Sequence, residues 1–352
     1  MAAYTTIDDP SAHFQITEYT GDGNSGRQVT NGGNSDLKPD IVWIKYKSAG
    51  VSPTWYDSSR GATKRLYRDF NSTEATLAEG VQSFTTDGFT VGDSGEVNSN
   101  SIPYVAWQWH MNAGSTSSNT DGSTTSTVQV NSDAGMSIVQ YTGNGTDGTT
   151  VGHGLGAKPA CIIGKSVAAA YDWQMRHHAT GGYTQAYYSW AWSSTAAANS
   201  STSIWSTTEP TTSVFSLDSG AVTNRDGYSQ IAYCFAEKQG FSKFGTYTGN
   251  GSTDGVFVYT GFKPAYIEIK TASQNWHVWD STRNPSNVAN KYIASSTSAA
   301  EYTSGGDIDI LSNGFKLKAT NAAWNGSGTA YIYSAFAENP FVTSTGIPTT
   351  AR

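Results

Sequence analysis

One pattern occurs three times along this chain, and it constrains the fold more than any other feature of the sequence. A Tyr-Thr-Gly-Asp-Gly or Tyr-Thr-Gly-Asn-Gly segment begins at Tyr19, Tyr141 and Tyr247. A Lys-Pro pair and a strand-like apolar run follow each copy, at residues 38–45, 158–165 and 263–270. The copies lie about a hundred residues apart, which is the size of a domain and well above the period of a solenoid.

Each copy closes on an alternating aromatic segment, which begins at Tyr104, Gln230 and Tyr331. The chain is 12% aromatic and contains 37 glycines, and only 14% of its residues are charged against about 25% in an average protein. Aromatic and β-branched runs separated by glycine-rich turns are typical of short strands. The sequence therefore predicts an all-β protein of three tandem antiparallel β-sandwich modules, each jelly-roll-like.

The repeats set the predicted domain boundaries. Residues 1–113 form an N-terminal arm and the first module, 114–134 a linker, 135–240 the second module, and 241–352 the third module with a C-terminal tail. The linker is almost wholly Gly, Ser, Thr and Asn, which is typical of a flexible tether, although residues 127–130 also have the composition of a strand.

Local signals add two further predictions. Asp-Gly or Asn-Gly after Tyr-Thr is a strong hairpin signal, so each repeat is expected to open with a tight β-turn. Helix is expected only at residues 74–80 and 287–293, and there for no more than one or two turns.

The sequence contains no recognisable catalytic or cofactor motif, and we expect neither a metal nor a cofactor. Cys161 and Cys234 lie in apolar runs and are expected to be buried thiols. The histidines lack metal-ligand spacing, so a surface or loop role is favoured over a zinc site. They are His13, His110, His153, His177, His178 and His277.

Two repeats carry an Asp-Ser-x-Arg segment, with Asp57 and Arg60 in the first and Asp280 and Arg283 in the third. The simpler interpretation is a turn held by an ion pair. The alternative is that these carboxylates belong to a glycoside-hydrolysing site, whose spacing is spatial and not sequential.

The second repeat contains an aromatic segment with no charged residue from 179 to 208. Uncharged aromatic surfaces are typical of saccharide stacking or of protein contact. The alternative is an enlarged buried core. Strand alternation puts Trp190 and Trp192 on one face. The candidate binding residues are Tyr187, Tyr188, Trp190, Trp192 and Trp205.

The repeated motifs resemble a family of structural repeats in tailed bacteriophages, especially marine ones. The resemblance rests on residues 19–23, 38–45, 57–61, 87–92 and 104–109, and on the closing segment 335–341. It covers nearly the whole chain, although the second repeat lacks Asp-Ser-x-Arg. The resemblance implies a virion protein and supplies no catalytic residues.

We therefore expect a non-enzymatic virion structural protein, most simply a tail fibre or host-facing appendage. The alternatives are a capsid decoration or cement protein and, from another class, a glycan-degrading enzyme that uses Asp57 or Asp280. The start of the chain lacks the features of a signal peptide, so synthesis in the host cytoplasm and a final place in the virion are expected.

The expected partners are other virion proteins, further copies of this chain and host surface polysaccharide. A homo-oligomer, most simply a trimer, is expected to form through the linker or through the arm at residues 4–14. Lys and Arg together number 21 in 352 residues, which argues against nucleic-acid binding. No apolar run is long enough for a membrane helix, so membrane insertion is not expected.

Overall fold

The fold is nearly all β, as the composition predicts. The computed structural model describes residues 3–179, 189–198 and 203–348, and it is 43% strand and 3% helix. The paired strands described below are antiparallel. Among the described residues, none of the helices is long and apolar enough to cross a membrane.

The first repeat forms a six-stranded sheet with a three-stranded sheet packed on one of its faces. In spatial order the large sheet contains β1 (Phe14–Thr20), β9 (Pro103–Trp109), β3 (Ile41–Tyr46), β4 (Thr54–Asp57), β5 (Lys64–Tyr67) and β6 (Ala75–Thr76). The small sheet contains β2 (Arg27–Val29), β8 (Gly88–Val91) and β7 (Val81–Thr85). A 3-10 turn (Pro10–Ala12) precedes β1, and the helix α1 (Gly95–Asn98) precedes β9.

The second repeat follows the same plan with two additional strands at one edge. Its seven-stranded sheet has the order β10 (Ser117–Asn119), β11 (Ser126–Asn131), β12 (Met136–Thr142), β18 (Ser229–Phe235), β14 (Cys161–Ser166), β15 (Gln174–His177) and β16 (Ser189–Ala191). The strands β13 (Thr150–Gly152) and β17 (Val214–Ser216) form a separate pair, and the helix α2 is Ala221–Asn224.

In the third repeat the two layers join into one eight-stranded sheet. Its order is β19 (Ser242–Thr248), β26 (Ala330–Pro340), β21 (Phe262–Lys270), β22 (His277–Asp280), β23 (Ala289–Ala294), β24 (Tyr302–Leu311), β25 (Gly314–Leu317) and β20 (Phe257–Tyr259). The orders β1-β9-β3-β4, β12-β18-β14-β15 and β19-β26-β21-β22 are therefore the same arrangement repeated. The strands predicted after each Lys-Pro pair and at the end of each repeat are confirmed, and the closing strand is central in all three sheets.

The linker residues 114–134 include two strands of the second sheet. β11 pairs with β12 along its length, and β10 pairs with β11. The amide oxygen of Gln129 on β11 accepts hydrogen bonds from Ser58 Oγ at 3.0 Å and Ser59 Oγ at 2.9 Å, both in the first repeat. This stretch therefore belongs to the second sheet and contacts the first repeat through the Gln129 side chain, so it is not a free tether.

The three repeats share one hydrophobic core. Trp55 of the first repeat and Tyr233 of the second lie with ring centroids 5.1 Å apart, and Phe14 of the first stacks on Phe336 of the third at 5.3 Å. A continuous cluster of buried residues runs through all three large sheets. The first and second repeats each have a further, smaller core between their own two sheets. Each large sheet thus buries one face against the other two repeats.

The opening motif of each repeat does not form the hairpin that its sequence predicts. β1 pairs with β9 and β2 pairs with β8, so the loop between them connects two different sheets. Buried asparagines explain why: Asn98 and Asn224 end the two short helices, and Asn325 follows the equivalent turn in the third repeat. The side-chain oxygens of Asn98, Asn224 and Asn325 each accept the backbone N–H of the Asp or Asn in the motif, at 3.0 Å. A long-range contact therefore overrides the local turn preference.

The tyrosine and the first glycine of this motif serve the same docking. The Tyr141 hydroxyl donates to the Thr223 carbonyl at 2.7 Å, with equivalent bonds from Tyr19 and Tyr247. A Cβ placed on Gly143 would lie 2.3 Å from the Arg225 carbonyl oxygen, which is closer than real Cβ contacts. The tyrosine, the first glycine and the backbone of the Asp or Asn thus take part in the same contact between this loop and the segment before the closing strand.

Gly143→Ala is therefore expected to lower the free energy of unfolding by about 1–3 kcal/mol, the usual cost of overpacking. The matched control is Gly305→Ala, because no atom lies within 4 Å of the Cβ that it would add. Urea unfolding of both variants measures the effect. Equal stability of the two variants would contradict the close-approach explanation.

The two helix predictions are wrong. Residues 75–76 form β6, and the segment from 287 onward leads into β23, which pairs with both β22 and β24. The short helices lie instead at Gly95–Asn98 and Ala221–Asn224, directly before the closing strands. Pairing with the neighbouring strands along the chain outweighs the weak local helix preference in both segments.

Candidate functional site

The three described tryptophans of the aromatic segment are core residues. Trp190, Trp192 and Trp205 are 1%, 3% and 0% exposed. The expectation that they form an exposed stacking platform is therefore wrong. Tyr187 and Tyr188 lie outside the described residues. Trp190 and Trp192 do share one face, but the third repeat covers that face, with the Trp190 and Trp276 ring centroids 6.3 Å apart.

A buried polar cluster lies where the three repeats meet. Arg68, Trp192 and Ser295 occupy equivalent positions in the three repeats. The first residues of β4, β15 and β22 pair with Tyr67, Ala191 and Ala294, and these three residues come directly after that partner. All three bond to the carboxylate of Glu268. The distances are 3.1 Å from Arg68 Nη2, 3.1 Å from Trp192 Nε1 and 2.9 Å from Ser295 Oγ. One residue of each repeat therefore converges on a single carboxylate.

The charges of this cluster are held away from solvent. Arg68 is 0% and Glu268 is 2% exposed, and the Arg68 guanidinium lies 3.6 Å from the centroid of the Trp192 ring. Burial lowers the pKa of Arg68 to about 10, and the Glu268 carboxylate opposes that shift. Both carboxylate oxygens of Glu268 accept from protein donors, so this carboxylate joins the repeats.

The Asp-Ser-x-Arg segments are turns held by buried ion pairs, as the simpler interpretation predicts. Arg60 Nε lies 2.5 Å from Asp57 Oδ2, and Arg283 Nε lies 2.6 Å from Asp280 Oδ2. Both carboxylates are 0% exposed.

Each carboxylate also bonds to a neighbouring repeat. The Tyr233 hydroxyl of the second repeat donates to Asp57 at 2.6 Å, and Trp107 Nε1 of the first donates to Asp280 at 3.1 Å. In the second repeat His177 occupies the same position, and its Nε2 lies 3.2 Å from the Tyr333 carbonyl oxygen of the third. The equivalent positions thus form a closed ring of contacts, in which Asp57 and Asp280 have a structural role.

Four histidines lie in loops or turns, as predicted, whereas His177 and His277 lie in strands; the four are His13, His110, His153 and His178. His153, His177 and His277 are buried, whereas the side chain of His178 is 41% exposed. Among the described residues, no group of three His, Cys, Asp or Glu side chains is placed to hold a metal ion. Burial lowers the pKa of both His177 and His277 to about 4.

These two shifts predict acid destabilisation. Because the folded-state pKa lies below the ordinary value of 6.5, the unfolded chain binds more protons between pH 6.5 and 4, and stability is lost as the pH falls through that range. Each histidine is expected to contribute about 3 kcal/mol to that loss. His177→Gln, which keeps a donor for the Tyr333 carbonyl, should reduce the difference between urea unfolding at pH 7 and at pH 4. An unchanged difference would contradict the assignment.

A lysine at or next to the end of each strand that follows a Lys-Pro pair is also buried. Lys45, Lys165 and Lys270 donate to backbone carbonyls of loops, and Lys45 reaches Ser298 of the third repeat at 2.9 Å. Burial lowers the pKa to about 8 for Lys45 and Lys165 and to about 7 for Lys270. The ammonium groups therefore hold loops and join repeats. Both cysteines are buried and free, as predicted.

An open groove of about 670 Å³ lies between the first and third repeats. One wall is β1, and the other includes Ser281 and Thr282 in the turn after β22. Sequence reasoning did not identify this site. The available signal was indirect: the second repeat has an additional strand-like segment before β12, and the first repeat has no equivalent before β1.

An exposed aromatic pair lies on β20 at the edge of the third sheet. Phe257 and Tyr259 are 44% and 54% exposed and flank the buried Val258, so both rings project from the same face. The equivalent positions on β2 and β13 carry no aromatic residue, as the pairing with β8 and β17 shows. The shared fold therefore does not require these two rings.

Comparison with known proteins identifies a family but no activity. The model of DUF7483, a domain of unknown function, matches residues 9–340 as one unit. No curated protein and no solved structure is detectably similar to the chain. This match spans all three repeats, and residues of all three contribute to one hydrophobic core. The chain therefore belongs to the DUF7483 family.

Proposed function

We propose that this protein is a non-enzymatic structural component of a tailed-bacteriophage virion, and that it serves as a tail fibre or host-facing appendage. The observation that carries the proposal is the way the repeats use their polar side chains. Arg68, Glu268, Asp57 and Asp280 are buried and bond one repeat to another. A chain built in this way suits a rigid building block, and its repeated motifs resemble those of phage structural proteins.

The same contacts weaken the alternative of a glycan-degrading enzyme. Asp57 and Asp280 were its candidate carboxylates, and each has an arginine and an aromatic donor as partners. A carboxylate that is 0% exposed and fully bonded is a poor general acid or nucleophile, since it cannot reach a sugar.

Mass spectrometry of purified particles tests the proposal directly. We expect the protein in intact virions, and its absence from them would end the proposal. Copy number then separates the two virion roles. A few to a few dozen copies indicate an appendage, whereas hundreds indicate a capsid decoration protein, and antibody labelling of intact particles gives the position.

The proposal includes self-association, most simply as a trimer. The two segments that the sequence offers for joining neighbours are packed within this chain. The arm bonds to the third repeat through Tyr4 and to the end of the second through Thr5, and the linker forms β10 and β11. Other surfaces would therefore hold the oligomer together. Light scattering of the purified full chain measures its mass, and a monodisperse monomer would count against this part.

Host polysaccharide contact is also part of the proposal, and the exposed pair Phe257 and Tyr259 is its best-placed site. Aromatic rings on a strand face are suited to stacking on sugars. The double variant Phe257→Ala, Tyr259→Ala should keep its fold and lose binding to host cells. Unchanged binding would exclude this pair as the contact site.

A further inference from the structure

Equivalent strand edges in the first two repeats differ in one respect. In the second repeat the outer edge of β12 pairs with β11, with Gln129 opposite Ile138. In the first repeat the equivalent strand is β1, and it pairs only with β9 among the described residues. The groove of about 670 Å³ lies along β1, on the side where β11 lies in the second repeat.

The backbone of β1 presents unpaired groups to this groove. His110 N donates to His13 O at 2.9 Å, and Gly21 N donates to Ile102 O at 2.7 Å, so the odd-numbered residues face β9. The N–H and C=O groups of Ile16 and Glu18 therefore point away from β9. In β12 the N–H and C=O groups of the equivalent residues, Ile138 and Gln140, face β11, where Gln129 and Thr127 lie opposite them.

The opposite wall of the groove carries hydroxyl side chains equivalent to those that bond to β11 in the second repeat. In the second repeat Gln129 bridges to Ser58 and Ser59, which directly follow Asp57. Ser281 and Thr282 directly follow Asp280 in the same way and line the groove. Their hydroxyls have no hydrogen-bond partner within the described part of the chain. The groove therefore offers the polar groups that hold β11 in the neighbouring repeat.

We propose that this groove takes up one extended strand from a partner protein, which adds to the first sheet antiparallel to β1. The proposal does not depend on a role in the virion. The chemistry of β11 (Ser126–Asn131) defines the ligand: a neutral strand of alternating β-branched and small polar residues, with an amide side chain opposite Ile16. Main-chain pairing would give affinity, and the amide at Ser281 and Thr282 would set the register.

Charge in the groove favours a neutral strand. Lys263 bonds to Glu338 at 2.6 Å, and Glu18 bonds to Lys47, so the charged residues that line the groove are already paired. The N-terminal arm of the same chain is not available as the ligand. Tyr4 donates to the Gly261 carbonyl of the third repeat and Thr5 to the Gln239 carbonyl at the end of the second, both at 2.8 Å, which holds this part of the arm away from the groove.

A synthetic peptide with the sequence of residues 123–132 (Ser-Thr-Thr-Ser-Thr-Val-Gln-Val-Asn-Ser), capped at both ends, serves as the probe. We expect saturable binding to the full chain and slower hydrogen exchange of the β1 amides. Ile16→Pro removes the outward N–H without removing a bond to β9, and it should weaken binding about tenfold or more. Ile16→Val keeps that N–H and is the matched control, with circular dichroism and thermal unfolding to verify the fold of both.

Two further variants test the opposite wall. The double variant Ser281→Ala, Thr282→Ala should bind the peptide several-fold more weakly than the native chain does. A peptide in which alanine replaces the glutamine should bind the native chain more weakly by a similar factor. If the peptide fails to bind at millimolar concentration, the proposal is overturned. It is also overturned if Ile16→Pro and Ile16→Val bind the peptide equally, because the peptide would then bind elsewhere. If the full chain self-associates and Ile16→Pro abolishes that association, the added strand comes from a second copy of this chain. That result would overturn the proposal that a different protein supplies the strand.

Discussion

The double variant Trp190→Ala, Trp192→Ala is expected to abolish folding of the whole chain. Each large-to-small change at a buried tryptophan costs about 3–5 kcal/mol, and a native protein is stable by only about 5–15 kcal/mol. Trp192 contacts Trp43 and Trp55 of the first repeat, so the damage extends beyond the second repeat. Near-ultraviolet circular dichroism and urea unfolding measure the loss.

The matched control is Phe257→Ala, Tyr259→Ala, which removes two aromatic rings from an exposed face. Surface substitutions of this kind usually change stability by about 0.5 kcal/mol or less. We expect the control to unfold like the native chain. If the tryptophan variant kept a native near-ultraviolet spectrum while it lost only a binding activity, the assignment of these rings to the core would fail.

Glu268→Ala is expected to destabilise the chain by about 3–5 kcal/mol, because it leaves the buried Arg68 guanidinium without its carboxylate. Trp192 Nε1 and Ser295 Oγ lose their acceptor in the same variant. The effect should appear in all three repeats at once, since one residue of each repeat bonds to this carboxylate. Hydrogen exchange followed by mass spectrometry shows whether protection falls in strands of all three sheets.

A double-mutant cycle separates the ion pair from simple loss of packing. Arg68→Met combined with Glu268→Met removes both charges and keeps side-chain volume, so it should cost less than the sum of the two single variants. Glu18→Ala is a suitable control, because its salt bridge to Lys47 involves a side chain that is 35% exposed. Additive effects of the two Met substitutions would show that Arg68 and Glu268 are not coupled.

Several features of the fold could be predicted from the sequence because they depend on local pattern. Alternating aromatic segments gave the closing strands β9, β18 and β26, and Lys-Pro marked the approach to β3 and β14. The Asp-Gly at residues 87–88 does form a hairpin, between β7 and β8. Burial of Cys161 and Cys234 followed from their apolar neighbours. In each case residues close together in the sequence suffice to predict the strand, the turn or the burial.

Contacts between repeats could not be predicted in this way, and they decided the rest. Alternation put Trp190 and Trp192 on one face, but only the positions of the first and third repeats make that face internal. The hairpin expected at each opening motif does not form, because the motif bonds instead to a buried asparagine roughly eighty residues away along the chain. No local pattern reveals a contact over that separation.

The sequence by itself determined that the chain is all β and that one strand arrangement recurs, because strand formation and turn position follow local periodicity. Only the tertiary structure decided how the repeats meet. Glu268 stands where the first repeat has Trp43 and the second has Ile163, and its charge is tolerated because Arg68, Trp192 and Ser295 surround it. The open edge of β1 is likewise a tertiary property, since it depends on which strands lie beside it.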